Sequence, residues 1–327
     1  MHIHPEIINA YKVLDGGKLT RFEAIELAEH IEGADILDLV SLANKVRSRF
    51  APKFGACSII NAKSGRCGQN CRFCAQSAHY RTGIETYDLL PPEKVLEEAR
   101  KVRASGVATF GYVTSGYGYL EPDAEFRQIL DTIDLVHREI PDMKLCMALG
   151  ILSRECAKLL ADHGVWRYNM NLQTNPARYA ELISDTHSID DKIRTIHYLQ
   201  EFGMTNCTGG ILGLGENWED RVALAFAVKE LDVEGITLNV LLPVPGTPVA
   251  SVPPLTPAET TKAFALFRLI NPRKMIKFCA GRETTMKDFQ GLLMLAGPSA
   301  LMTGGYLTTR GRQIAEDFKL IGSLENF

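Results

Sequence analysis

Short apolar runs alternate with helical repeats along most of the chain. From residue 57 onward, runs rich in apolar and β-branched residues predict strands near 57–63, 108–113, 144–149, 166–172, 205–212, 236–241, 275–279 and 300–303. Between them, apolar residues at three- and four-residue spacing predict helices over 93–104, 124–139, 190–202, 218–231 and 257–270. Eight strands separated by helices pair in parallel through right-handed crossovers, so the expected fold is α/β, a closed (β/α)₈ barrel. The first 50 residues read as a helical extension. Thr20-Arg-Phe-Glu23 is a capping box, in which hydroxyl and carboxylate satisfy backbone amides at a helix start. Phe22, Ile25 and Ala28 then share a face, and Gly33 stops the helix. A second apolar stripe carries Ile36, Leu39, Val40, Ala43 and Val46. The reading is an extension, 1–50, bracing either the barrel or a partner subunit, followed by a barrel domain, 51–327. No internal repeat, low-complexity tract or Pro/Gly-rich linker divides the chain further.

Composition narrows the function classes. The 327 residues are 46% hydrophobic and 23% charged with a net charge of −3, an ordinary composition with enough apolar material for a full core. Charges are interspersed, which argues against nucleic-acid or membrane partners. No run approaches about 18 apolar residues, so no membrane helix is expected, and the start lacks the basic and apolar regions of a secretory signal. Eight cysteines are too few for a disulfide scaffold and too clustered for chance. If they hold iron, a reducing cytoplasm and sensitivity to oxygen follow.

Three of them, Cys67, Cys71 and Cys74, fall within eight residues at C-x₃-C-x₂-C spacing after the first strand. Three thiolates there hold three corners of a four-iron, four-sulfur cube and leave the fourth iron open to a small molecule. The alternative is a zinc site completed by His79. Loops after barrel strands build the active site, so the motif falls where chemistry is expected. Of the remaining cysteines, Cys57, Cys146, Cys207 and Cys279 lie on the first, third, fifth and seventh strands. Barrel interiors are filled in layers of four side chains taken from alternate strands, so these four can face one point and hold a second, internal cluster. The bland alternative is four buried thiols packing as small hydrophobes. Cys156 falls in a helix and reads as core.

The C-x₃-C-x₂-C motif with Phe73 before its last cysteine resembles the signature of radical S-adenosylmethionine enzymes. The wider run, from Ile60-Asn-Ala-Lys-Ser-Gly-Arg-Cys67 to Cys74-Ala-Gln-Ser-Ala-His-Tyr-Arg-Thr-Gly83, resembles the biotin synthase family, and the likeness extends over roughly residues 50–310. In that family S-adenosylmethionine chelates the open iron of a [4Fe–4S] cluster and is split to a 5′-deoxyadenosyl radical. The radical activates C9 and then C6 of dethiobiotin for sulfur insertion from an auxiliary cluster. The family's auxiliary cluster has two irons held by three cysteines and an arginine. Cys146 and Cys207 match two of those cysteines, Gly111 stands at the third, and Lys277 stands at the arginine. The resemblance therefore implies a variant site, with Cys57 and Cys279 completing an all-cysteine set, most simply [4Fe–4S] and otherwise [2Fe–2S]. A vestigial site is the alternative.

The resemblance also implies contacts. Phe73, Asn171, Gln173, Lys192 and Ile211 would bind the cofactor, with Lys192 at an arginine that pairs with its carboxylate. Asn169, Asn239, Thr308 and Thr309 would bind substrate. Met170 and Gln173 stand where the family has histidine and a carboxylate. A reducing flavodoxin or ferredoxin and a homodimer are implied in the same way. Two rival readings are a related radical enzyme that performs rearrangement or hydrogenase-cofactor maturation, and a zinc-stabilised, non-catalytic barrel.

Overall fold

The computed structural model describes residues 3–308, 311–324 and 327. Eight parallel strands form its centre: β1 Gly55–Lys63, β2 Thr109–Thr114, β3 Lys144–Ala148, β4 Arg167–Asn169, β5 Thr205–Cys207 resumed at Gly210–Leu212, β6 Gly235–Val240, β7 Met275–Phe278 and β8 Ala300–Met302. Neighbours pair in chain order. The ring closes where Cys57 of β1 pairs with Met302 of β8, and where β7 pairs with both β6 and β8. A small ribbon, Gly118–Tyr119 with Ile151–Leu152, lies beside the barrel and has no counterpart among the expected strands.

Helices cover the outside because their apolar stripes match the outward faces of the strands. The helix Ala124–Glu139 buries Phe126, Ile129, Leu130, Ile133 and Val136, each apolar side chain contributing about 1.5–3 kcal/mol relative to exposure. The helix Pro257–Ile270 is buried almost all round from Thr260 on, because the extension helix Asp35–Phe50 packs on its outer side. The capping box at Thr20 is present, opening the helix Arg21–His30. That helix ends before Gly33, which lies in the link to the next one with φ of 54°. Its buried face is Ala24, Leu27 and Ala28. Phe22 is 69% exposed, so the expected face is rotated away from it. Lys262 Nζ reaches across to the carbonyls of Ala28 and Ile31, placing a cation on the C-terminal end of that helix.

Strands β4 and β5 depart from the expected spans. The strand expected over 166–172 ends at Asn169, and the chain turns at Gln173 with φ of 73°. The run expected over 205–212 breaks at Thr208-Gly209. A Cβ on Gly209 would lie 2.0 Å from the Thr237 carbonyl oxygen, and one on Gly210 would lie 2.4 Å from that of Gln173. Backbones approach here more closely than any side chain permits. No helix among the described residues is long and apolar enough to cross a membrane.

Candidate active site

The loop after β1 carries Cys67, Cys71 and Cys74. Gly65 and Arg66, with φ of 75° and 55°, turn the chain out of the strand. The loop then folds on itself. Cys67 N–H donates to the Gln76 carbonyl, Ala78 N–H to that of Cys67, and Cys74 N–H to that of Cys71. Ser77 Oγ donates to the Gln69 carbonyl at 2.6 Å. Burial pushes the Cys71 thiol up to about 12; the charges of Cys74 and Cys67 add to this and that of Lys192 opposes it. Cys74 is raised chiefly by burial, with Cys67 contributing. All eight cysteines are free.

His79 does not join the thiols: its Nε2 lies 3.1 Å from the Gly68 carbonyl. The histidine at the motif is instead His187, more than a hundred residues downstream. Its Nε2 sits 3.9 Å from Cys71 Sγ and 2.8 Å from Tyr179 Oη, while Nδ1 is 3.0 Å from Ser184 Oγ. Burial and the Lys192 charge hold it down to about 4, so it is neutral at pH 7. No sequence signal links His187 to the motif, because the link is made by the fold after β4. Among the described residues no three His, Cys, Asp or Glu side chains converge as ligands of one ion. A loop set of soft thiols fits a cluster that spreads its ligands over several irons.

Inside the barrel, Cys57, Cys146, Cys207 and Cys279 all line one cavity of about 300 Å³ that opens beside the motif loop. Cys57, Cys207 and Cys279 are buried, and Cys146 is half-buried. Register brings Cys146 level with Gly111, and Gly111 level with Ile59. A Cβ on Gly235 would lie 2.7 Å from Cys207 Sγ, so a glycine on β6 leaves the room this thiol occupies. Burial pushes the Cys146 thiol up to about 12, reinforced by Cys207. Lys277 lies among the four. Burial opposes its charge, but the surrounding Cys57, Cys207, Cys279 and Cys146 outweigh it and hold its pKa well above the ordinary lysine value. Four thiols and one cation on the wall of this cavity suit an iron–sulfur cluster as donor set. Cys156 is buried in the helix Arg154–Asp162, away from this cavity.

Polar residues ring the upper cavity. Phe73, Cys74, Asn169, Asn171, Gln173, Ile211, Asn239 and Thr308 line it, as does Thr237, which the sequence reading passed over. Asn171 Oδ1 accepts from Gly209 N–H, Thr237 Oγ and Asn169 Nδ2, so only its NH₂ remains to donate outward. Gln173 Oε1 is buried without a partner. Asn239 donates to the Gly210 carbonyl and accepts from Ala280 N–H, tying the ends of β5 and β7 together. Lys192 lies by Met170 Sδ at 3.8 Å and 5.9 Å over the Tyr179 ring; burial lowers its pKa, and the nearby Cys71 opposes this. Thr309 lies outside the described residues.

A cysteine loop above a closed barrel, with a polar-rimmed cavity beneath it, matches what known families record. Residues 62–228 match the radical SAM superfamily model, and 237–325 match the biotin and thiamin synthesis associated domain. The chain belongs to the radical S-adenosylmethionine superfamily. It is 52% identical to the biotin synthase of Pelodictyon phaeoclathratiforme, over 99% of this chain and 98% of that one. It is 51% identical to that of Chlorobaculum tepidum at the same coverage. Within the superfamily, therefore, the chain belongs to the biotin synthase family. Its fold is shared by methylornithine synthase (TM-score 0.83, 17% identity, 97% of this chain and 96% of that one). It is also shared by the FeFe-hydrogenase maturase of Carboxydothermus hydrogenoformans (TM-score 0.80, 18% identity, 97% and 78%). These distant likenesses concern fold alone. Full-length identity to biotin synthases decides against the rearrangement, maturation and zinc-barrel readings.

Proposed function

We propose that this member of the biotin synthase family inserts sulfur into dethiobiotin inside the barrel, using an internal cluster held by Cys57, Cys146, Cys207 and Cys279. The observation that carries the ligand set is the meeting of Cys57, Cys146 and Cys207 from β1, β3 and β5, and of Cys279 one residue past β7, on one cavity below the motif loop. Cys67, Cys71 and Cys74 are the residues that would hold the radical-generating [4Fe–4S] cluster to which S-adenosylmethionine binds. When bound, these groups supply a 5′-deoxyadenosyl radical for C9 and C6, and the internal cluster, of four irons, supplies the sulfur.

The protein's own task is position and shielding. Lys192 faces the cofactor carboxylate as a point charge. The unpartnered Gln173 Oε1 would accept from a ribose hydroxyl of the cofactor, and the free NH₂ of Asn171 would donate beside it. Ile211 and Phe73 pack against the cofactor. Asn169, Asn239, Thr308 and Thr309 receive the substrate's polar ends. The closed wall keeps a carbon radical from solvent. The extension, 1–50, braces the barrel, 51–327. A reducing flavodoxin or ferredoxin, a homodimer and a cytoplasmic setting belong to the same proposal, on the resemblance of the family.

Iron and labile sulfide, measured after anaerobic reconstitution of the wild type and of the Cys67/Cys71/Cys74 triple-alanine variant, test the ligand set. About four irons retained in the variant are expected for a cube inside the barrel. About two would restore the family's two-iron site, and none would remove the internal cluster. Conversion of dethiobiotin to a thiolated product, followed by mass spectrometry, tests the reaction separately.

A further inference from the structure

Most buried cations among the described residues have an oxygen partner. Arg282 pairs with Asp317, Arg221 with Glu216, and Arg268 and Lys262 donate to backbone carbonyls. Lys277 is 5% exposed and lines the cavity, yet among the described residues its ammonium has neither a carboxylate nor a hydrogen-bond partner. A charge on a cavity wall inside a barrel is costly unless something in that cavity balances it. What surrounds Lys277 is four cysteines. Four thiolates outweigh the positive charge of a four-iron core, so the loaded site is a net anion enclosed by barrel wall. Coordination by lysine would need its neutral amine, and four thiolates already close a cube without it.

We propose that Lys277 is the counter-cation of the internal cluster rather than one of its ligands, and that it raises that cluster's reduction potential. This rests on the all-cysteine cluster of the preceding subsection. The physical reason is charge. Reduction adds an electron to an assembly already negative in a region of low dielectric, and a fixed ammonium beside it stabilises the reduced form more than the oxidised one. Lys277 is held for this by β7, where its Cα neighbours are Thr237 on one side and Ala300 on the other. It is thus a positioning and tuning residue, with no bond to iron.

The test uses the Cys67/Cys71/Cys74 triple-alanine protein as parent, so that only the internal cluster is read. Lys277→Met keeps length and bulk without charge, Lys277→Gln is a second neutral replacement should the first not fold, and Lys277→Arg keeps the charge. Iron and sulfide are counted, and the midpoint potential is followed by electron paramagnetic resonance. The expected result is unchanged iron in all three variants. The neutral variants should be at least tenfold harder to reduce, about 59 mV more negative for one electron, and the arginine variant should return most of that shift. Full iron with an unchanged potential in a neutral variant overturns the proposal. Loss of iron in neutral and arginine variants alike makes Lys277 a ligand and also overturns it. A parent that binds no iron is a different failure, since it removes the internal cluster itself.

Discussion

A side chain at position 111 would meet the wall of its own barrel. Gly111 faces the cavity between Ile59 and Cys146, and a Cβ there would lie 2.6 Å from Ile59 Cγ2. That carbon is attached directly to Cβ of a β-branched residue and cannot swing away. The resemblance puts a third cysteine ligand of the family at this point, so the packing here excludes it. Gly111→Cys is expected to cost about 1–3 kcal/mol as overpacking, read as a lower urea midpoint. Adding Ile59→Ala to it should recover part of the loss. A single variant as stable as the wild type would mean that the wall yields, and that the missing cysteine is not a matter of space. Cys57, Cys146 and Cys207 were legible because their strands were, while Cys279, expected on the seventh strand, falls one residue past its end. Thr237 was not legible, since a threonine in a strand carries no signal of whether its hydroxyl faces a ligand. His187 was not legible either, because its distance from Cys71 is set by the chain's return after β4.

At the scale of elements, the segment after β7 is clamped by the last helix, Ile314–Ser323. Asp317 on that helix accepts two parallel hydrogen bonds from Arg282 at 2.9 Å each, and the two side chains are 1% and 0% exposed. Arg282 lies three residues beyond Cys279, so the clamp holds the backbone that carries one of the four thiols. Asp317→Asn leaves the guanidinium charged and poorly matched in the interior. It is expected to cost about 3–5 kcal/mol in denaturant unfolding. Replacing both partners, Arg282→Met with Asp317→Leu, is expected to cost less than the single change, and a cost for Asp317→Asn below about 1 kcal/mol would show that water reaches the pair. Helix spans such as Ala124–Glu139 and Pro257–Ile270 fell where periodicity put them, because their apolar stripes are regular and their first turns are capped. The break in β5 was hidden, because close approach of β4 and β6 is a property of three strands together and leaves only glycines in the sequence. The exposed Phe22 was misread for a related reason: three apolar residues at helical spacing define a stripe but not its centre.

At the scale of the whole molecule, the question is whether iron holds the barrel together. The two segments matched by separate family models, 62–228 and 237–325, meet between β5 and β6 and contribute strands to one closed ring. Closure leaves the ring itself without a free edge, and among the described residues the apolar core under the helices contains none of the seven proposed cluster ligands. Metal supplies folding free energy where a domain is too small to have such a core; here the core exists without it. Chelating the iron anaerobically is therefore expected to leave the far-ultraviolet circular dichroism of helices and strands in place and the unfolding cooperative. The melting temperature should fall, because a cluster that binds only the folded state adds stability by linkage. The interior should respond more than the shell: near-ultraviolet dichroism and thiol labelling of Cys146 should change, while the extension helices on Pro257–Ile270 should not. Loss of the far-ultraviolet signal on chelation would reverse the assignment and make the four interior cysteines a structural anchor of the fold. Retention of that signal means that the barrel is built first and the sulfur source is placed in a cavity already formed, where a spent cluster can be replaced without the wall coming apart.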